Sequence, residues 1–178
     1  MDWPTAEPIE TARLTLEPLR VEHAGEMHAV LNDPGLHAYI GGQPPTADQL
    51  RKRYAIQARG HSPDHSQAWL NWVARERETG TAIGTVQATF TRTEEAQLQA
   101  EVAWVIATAH QRRGYATEAA AAMVDWLRGQ GADAVTAHIH PDHRASIAVA
   151  THLGLTTTDL VEDGEIVWRA GPLAPPDT

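Results

Sequence analysis

Apolar residues recur along this chain with two different periods, and the switches between them predict its elements. Leu14 and Leu16 alternate with polar neighbours over residues 11–18, the period of two expected of a strand, after a loose, proline-containing start. Ala24, Met27, Val30 and Leu31 then fall at helical spacing over residues 21–32, and Asp33-Pro34-Gly35 stops the run. Residues 41–45 read as a loop. Residues 46–59 read as a second helix that Thr46 can cap, followed by a polar, mobile connection over residues 60–66.

Three strand-like runs follow at residues 68–76, 83–91 and 98–106. Thr79-Gly80 and residues 93–96 supply the turns, which predicts an antiparallel meander. In the third run Leu98, Ala100, Val102, Trp104 and Ile106 share one face, and Glu101, Ala103 and Val105 the other. Both faces are largely apolar, as in a central strand covered on both sides. A helix over residues 115–129 carries Ala119, Ala120, Met123, Val124 and Leu127 on one stripe, against Glu118, Asp125 and Arg128. Gly129 and Gly131 can both end it.

Val135, Ala137 and Ile139 alternate in the next strand, and Asp142 is placed to cap a helix from about 143 to 153, closed by Gly154. Short strands at 155–160 and 166–170 flank the turn Glu162-Asp163-Gly164, and a proline-rich tail ends the chain. No repeat or internal boundary interrupts the sequence. One domain over residues 1–178 is expected, with its core at about 11–170. Antiparallel strands first, then a strand–helix–strand–helix unit, predict a mixed α/β fold with a mostly antiparallel sheet of about seven strands.

Composition removes several function classes. At 178 residues the chain can bury a core without staples. Fourteen Lys and Arg against 23 Asp and Glu give a net charge of −9, which argues against binding nucleic acid. No window approaches the ~18 apolar residues of a membrane span, and Met-Asp-Trp-Pro has neither half of a secretion signal, so a cytoplasmic location is expected. The absence of cysteine excludes disulfides, thiolate metal sites and a cysteine-bound covalent intermediate.

The most informative chemistry lies at residues 110–119, His-Gln-Arg-Arg-Gly-Tyr-Ala-Thr-Glu-Ala. A strand ends just before this stretch and a helix begins inside it. Such a turn exposes backbone N–H groups at the positive end of a helix, where phosphate binds well. Arg112 and Arg113 add full charges there, and a side chain at Gly114 would obstruct close backbone approach.

The order of elements and this turn together resemble the GNAT superfamily of acyl-CoA N-acyltransferases. Gln111-Arg112-Arg113-Gly114-Tyr115-Ala116 matches its pyrophosphate-turn pattern, Gln/Arg-x-x-Gly-x-Gly/Ala. Further features are similar to the branch of ribosomal-protein N-terminal (Rim-type) acetyltransferases. These are Thr11-Ala12-Arg13-Leu14-Thr15-Leu16, Ile83-Gly84, Glu101, the run from Gly114 to Ala119, and Ala145, Ser146 and Gly154. His143 stands where that branch has an asparagine that contacts coenzyme A, and Ala150 where many superfamily members have an acid tyrosine.

The resemblance implies acetyl-CoA as co-substrate, no metal, and an amine acceptor taken by direct attack in a ternary complex, in a monomer or homodimer. It assigns the pyrophosphate to Gln111, Arg112, Arg113, Gly114, Tyr115, Ala116 and Thr117, with His143 nearby. The pantetheine arm falls to the backbone of Trp104, Val105 and Ile106. It leaves Ser146 or a water as the acid for the departing thiolate.

Glu101 is the candidate base, on a strand where apolar neighbours would desolvate it. It reads equally well as a rim carboxylate that attracts a cationic amine. Ser146 also reads as a cap or packing residue. His138, His140 and His143 are close enough in sequence to meet a zinc ion, though no thiolate or clear carboxylate accompanies them. Trp69 and Trp72 are out of phase, so they face opposite ways and core packing suits both. The acceptor pocket is expected from residues 37–66. The expected function is an acetyl-CoA-dependent N-acetyltransferase; the alternative, motivated by Ala150 in place of the acid tyrosine, is a non-catalytic acyl-CoA-binding module. A histidine–zinc hydrolase is the third reading.

Overall fold

The computed structural model describes residues 2–39 and 42–171. Gly41 of the predicted loop and the tail beyond residue 171 lie outside them. The period-two runs form strands and the period-3.6 runs form helices, close to the predicted places. In chain order these are β1 (Ile9–Glu10), β2 (Leu14–Pro18), α1 (Ala24–Leu31), α2 (Ala47–Gln57), β3 (Gln67–Glu76), β4 (Ala82–Arg92), β5 (Leu98–Ile106), α3 (Tyr115–Gly129), β6 (Ala134–Ile139), α4 (Arg144–His152), β7 (Thr156–Glu162) and β8 (Glu165–Ala170).

Eight strands make one sheet in the order β1-β2-β3-β4-β5-β6-β8-β7, one more than the sequence predicts. The addition is the two-residue β1, too short to show a period, paired antiparallel to β2. The start of the chain is not loose: Trp3, Ala6 and Ile9 pack against the core, and the buried Trp72 indole donates to the Glu7 carbonyl at 2.8 Å. Nor is the connection at 60–66 a free loop. Asp64 accepts hydrogen bonds from the Ser62 and Ser66 hydroxyls at 2.6 and 2.8 Å, and His61 bridges to Ala68.

Helices cover both faces. Ala119, Met123, Val124 and Leu127 of α3 pack with Leu14, Leu70, Trp72, Phe90, Val102 and Val135 in the main core, to which α4 adds Ala150. On the opposite face Ala24, Met27, Leu50 and Tyr54 of α1 and α2 close over Val73 and Ala82. Thr46 caps α2 as predicted, in a reciprocal pair with Gln49. Asp142 does not cap α4. The N-cap is His143, with no side-chain cap bond, because Asp142 stands one residue too early.

The α1–α2 cover stops short of β5. Glu101 and Ala103 are exposed, so the prediction of a strand covered on both faces fails on that side. β5 and β6 also pair over three positions only, Gln99↔Ala134, Ala100↔Val135 and Glu101↔Thr136, in the sheet's parallel junction. Beyond Glu101 the two strands separate. A gap in the middle of the sheet is thus lined on one side by the last residues of β5.

Candidate active site

The edge of β5 facing this gap is set by its register with β4. The Ala107 N–H donates to the Ile83 carbonyl at 2.8 Å, and β4 and β5 pair from Gly84↔Ile106 to Arg92↔Leu98. Antiparallel ladders alternate, so Ile83 with Ala107 and Thr85 with Val105 exchange bonds, while the backbone groups of Trp104 and Ile106 turn away from β4 into the gap. The Gln111 side chain confirms that direction at one position, donating to the Ile106 carbonyl at 2.9 Å. Gly84 permits this geometry: a Cβ there would collide with the Val105 carbonyl oxygen.

The turn after β5 opens with a single 3-10 turn (Thr108–His110), held to the start of the 3-10 turn that follows α1 (Pro34–His37) by the Thr108 hydroxyl donating to Asp33. That bond, and then the Gly35 N–H, keep the Asp33 carboxyl below the usual range. Arg112 and Gly114 both take left-handed backbone, at φ +62° and +80°. Gly114 is the N-cap of α3 and no side chain caps the helix. The first helical bond runs from the Glu118 N–H to the Gly114 carbonyl at 3.0 Å. The N–H groups of Gly114, Tyr115, Ala116 and Thr117 therefore have no partner within the helix. Four donors at a positive helix end, beside two arginines, fit a pyrophosphate.

The individual side chains divide within this turn. Arg112 and Arg113 are exposed. Gln111 instead turns back onto β5, and Tyr115 turns into the core, where its hydroxyl donates to Glu76 at 2.7 Å. That bond raises the Tyr115 phenol and, with the Thr79 hydroxyl, lowers the Glu76 carboxyl. The Arg13 guanidinium covers the Tyr115 ring at 4.2 Å from its centre, with Arg113 at 5.1 Å. What Tyr115 can offer a ligand is its backbone N–H.

A further clamp went unread in the sequence. Glu118, in the first turn of α3, accepts from the Thr11 hydroxyl at 2.5 Å, the Arg13 N–H at 2.9 Å and Arg13 Nε at 2.8 Å. Two motifs about a hundred residues apart in sequence, residues 11–16 and 114–119, are joined by this one contact, which fixes the start of α3 to β2. Partial burial pushes the Glu118 carboxyl up, but the bonds from Thr11 and Arg13 outweigh it and hold it below the usual range.

Glu101 projects from β5 on the open face with its side chain 55% exposed, so the desolvated setting expected of it is absent. Its nearest ionic neighbour is His138 of β6, 4.0 Å away at Nε2, whose Nδ1 lies 3.6 Å from Glu162 of β7. Ser146 is buried in the first turn of α4, with its hydroxyl 3.4 Å from His143 Nε2. The Tyr39 ring stacks on His143 at 4.4 Å. Burial, and then the neighbouring His140, push His143 below the ordinary imidazole range, which leaves it neutral near pH 7. Among the described residues no group of three or more His, Cys, Asp or Glu is gathered as metal ligands, and His138, His140 and His143 make no such cluster. Trp72 lies in the core, edge-on to Trp126, while Trp69 sits half-buried on the opposite face, as their phase predicts.

Beside β5, between α2 and the sheet, lies a cavity of about 250 Å³ whose walls include Leu50, Tyr54, Ala103, Trp104 and Val105. Glu101 lies two residues from Ala103 on the same face of β5, outside the cavity's lining. No described helix is long and apolar enough to cross a membrane.

Known proteins agree with this architecture. The chain superposes on an acetyltransferase from Agrobacterium tumefaciens with a TM-score of 0.71 at 24% identity, over 97% of this chain and 98% of that one. A ribosomal-protein alanine acetyltransferase from Vibrio fischeri gives 0.74 at 16% identity, over 92% and 96%. RimL, a ribosomal-protein N-acetyltransferase solved with coenzyme A, gives 0.71 at 15%, over 92% and 97%. No curated protein matches the chain. At these identities the likeness shows the fold. The family model described as "Acetyltransferase (GNAT) domain" matches residues 13–156, most of the chain and all of the elements from β2 to α4. The chain belongs to the GNAT acetyltransferase family, as an acetyl-CoA-dependent acetyltransferase.

Proposed function

We propose that the chain acetylates a primary amine by direct attack, with both substrates bound together. The observation that carries this reading is the uncapped start of α3, placed beside the unpaired edge of β5. The N–H groups of residues 114–117, with Arg112 and Arg113, hold the pyrophosphate of acetyl-CoA. The gap-facing backbone groups of Trp104 and the Ile106 N–H pair with its pantetheine arm, the Ile106 carbonyl being held by Gln111, and His143 flanks it. Acetyl-CoA supplies the activated thioester.

The chain's own residues do the rest. Glu101 draws a cationic amine to the open face of β5 and takes its proton through water, which suits an exposed carboxylate better than direct contact. The amine nitrogen then bonds to the thioester carbonyl carbon as the carbon–sulfur bond breaks, and the second proton of the nitrogen leaves to solvent water as the amide forms. Ser146 donates a proton to the departing sulfur and recovers it through its contact with His143, the neutral imidazole serving as relay. With no cysteine in the chain, no protein thiol carries the acetyl group. The reading keeps the cytoplasmic setting and the monomeric or homodimeric state expected from the sequence. Release of free thiol from acetyl-CoA, driven by an added amine, tests it. Stabilisation by acetyl-CoA with no thiol release from any amine would instead mark a binding module.

A further inference from the structure

The cavity beside β5 carries more information about the acceptor than its position alone. Tyr54 is 3% exposed, lines the cavity, and has a hydroxyl without a hydrogen-bond partner among the described residues. The same holds for Nε2 of His37, on another wall. Buried polar atoms of this kind cost stability unless something satisfies them, and two on one cavity point to a ligand that does. Burial pushes the Tyr54 phenol up to about 12, against a smaller opposing pull from Arg53, so near pH 7 the hydroxyl is a donor.

Charge narrows the ligand further. Among the described residues the lining contains one full cation, Arg53, and no carboxylate, although the chain as a whole carries −9. Glu101, two residues along β5 from the lining residue Ala103, offers a carboxylate on this face just outside the cavity. A ligand with several ammonium groups would have to bring them against Arg53 with no anion to meet them. A ligand with one amine, directed to the Glu101 side, and one anionic group, directed to Arg53 and the Tyr54 hydroxyl, leaves neither charge unmatched. Leu19, Leu31, Leu36 and Leu50 supply an apolar surface between. At about 250 Å³ the cavity falls below the ~300–1,000 Å³ of drug-sized sites and suits a body the size of one amino acid.

We propose that the acceptor is a small amine carrying a carboxylate on an apolar body, an amino acid or a close analogue, and that the cavity discriminates against di- and polycationic amines. This rests on the acetyltransferase reading above and specifies its acceptor.

The test is amine-driven thiol release from acetyl-CoA with L-phenylalanine, L-leucine and L-methionine, each against its own carboxamide, alongside spermidine and the peptide Phe-Gly-Gly. At least one free acid is expected to exceed its amide in kcat/KM by about tenfold or more, since the amide leaves Arg53 and Tyr54 without an anion. Arg53→Gln and Tyr54→Phe are expected to shrink that ratio, and in the presence of coenzyme A the preferred acid, but not its amide, is expected to raise Tm. Arg53 is exposed, so its replacement tests recognition without unfolding the chain. Spermidine, an amide or the peptide turned over as well as the acids would overturn the inference while the acetyltransferase reading stands. An acid preference unmoved by either substitution would overturn it too. Thiol release from none of these amines would overturn the inference as well, while the acetyltransferase reading falls only if acetyl-CoA raises Tm and no amine of any class releases thiol.

Discussion

Arg13 meets Glu118 through two separate donors, its backbone N–H at 2.9 Å and its Nε at 2.8 Å, across 105 residues of sequence. The pair ties the first strand of the core to the first turn of α3, whose free N–H groups are the proposed pyrophosphate site. Glu118→Gln removes the negative charge and faces one amide hydrogen toward donors. With Arg13 43% exposed, solvent screening limits the expected loss to about 1–2 kcal/mol, read from the denaturation midpoint. The sign with pH is fixed by the native carboxyl lying below its ordinary value of 4.5. The contribution is complete above that value and fades as pH falls through the lower native one, so wild type and variant should converge in acid. A constant difference down to the acid transition would count against the charge.

Gly114 holds φ at +80°, and a Cβ there would meet Arg13 Nη2 at 3.4 Å, so backbone strain and not collision sets its first cost. Gly114→Ala is expected to lose about 1–2 kcal/mol of stability. Gly114→Val should also lose the rise in Tm that acetyl-CoA gives the parent protein. An undiminished rise would remove the turn from the binding site.

Gly84 lies on the other side of the same site. Any side chain at this position drives into the Val105 carbonyl, and β5 must move to admit it. Gly84→Ala should therefore cost more than Gly114→Ala, on the order of 2–3 kcal/mol, and raise KM for acetyl-CoA by displacing the edge that faces the gap. A stable variant with an unchanged KM would show that this edge does not touch the ligand.

Glu101 and Ser146 separate by their pH behaviour. Glu101→Gln is expected to lower kcat/KM by about tenfold to a hundredfold near pH 7 and to recover at high pH, where the amine sheds its own proton. A loss independent of pH would leave Glu101 an attractor of cations. Ser146→Ala should lower kcat without weakening acetyl-CoA binding, and full activity would exclude the hydroxyl as proton donor.

Local features of the fold were readable in advance because their causes are local. The 110–119 turn announces itself by a change of period and a glycine, and the Thr46 cap by its place at the start of the helical run. What escaped is carried by contacts remote in sequence. Thr11 and Arg13 gave no sign that their acceptor was Glu118, and nothing in β3 indicated that Trp72 reaches Glu7. The exposure of Glu101 depends on where α1 and α2 stop, which periodicity within β5 does not contain. The unpaired hydroxyl of Tyr54 is likewise a property of everything around it: the residue sits at a good helical core position, and only the packed structure shows that its polar end has no partner among the described residues.

The three-pair junction between β5 and β6 gives the sheet a mechanical seam. On one side β1 to β5 form a continuous antiparallel leaf, and on the other β6, β8 and β7 form a second, smaller one. A nucleotide tail anchored at α3, with its arm laid along β5, would stand in for the ladder that the seam lacks. Substrate loading and the joining of the two leaves would then be a single event, and rigidity at this seam would report whether the enzyme is charged.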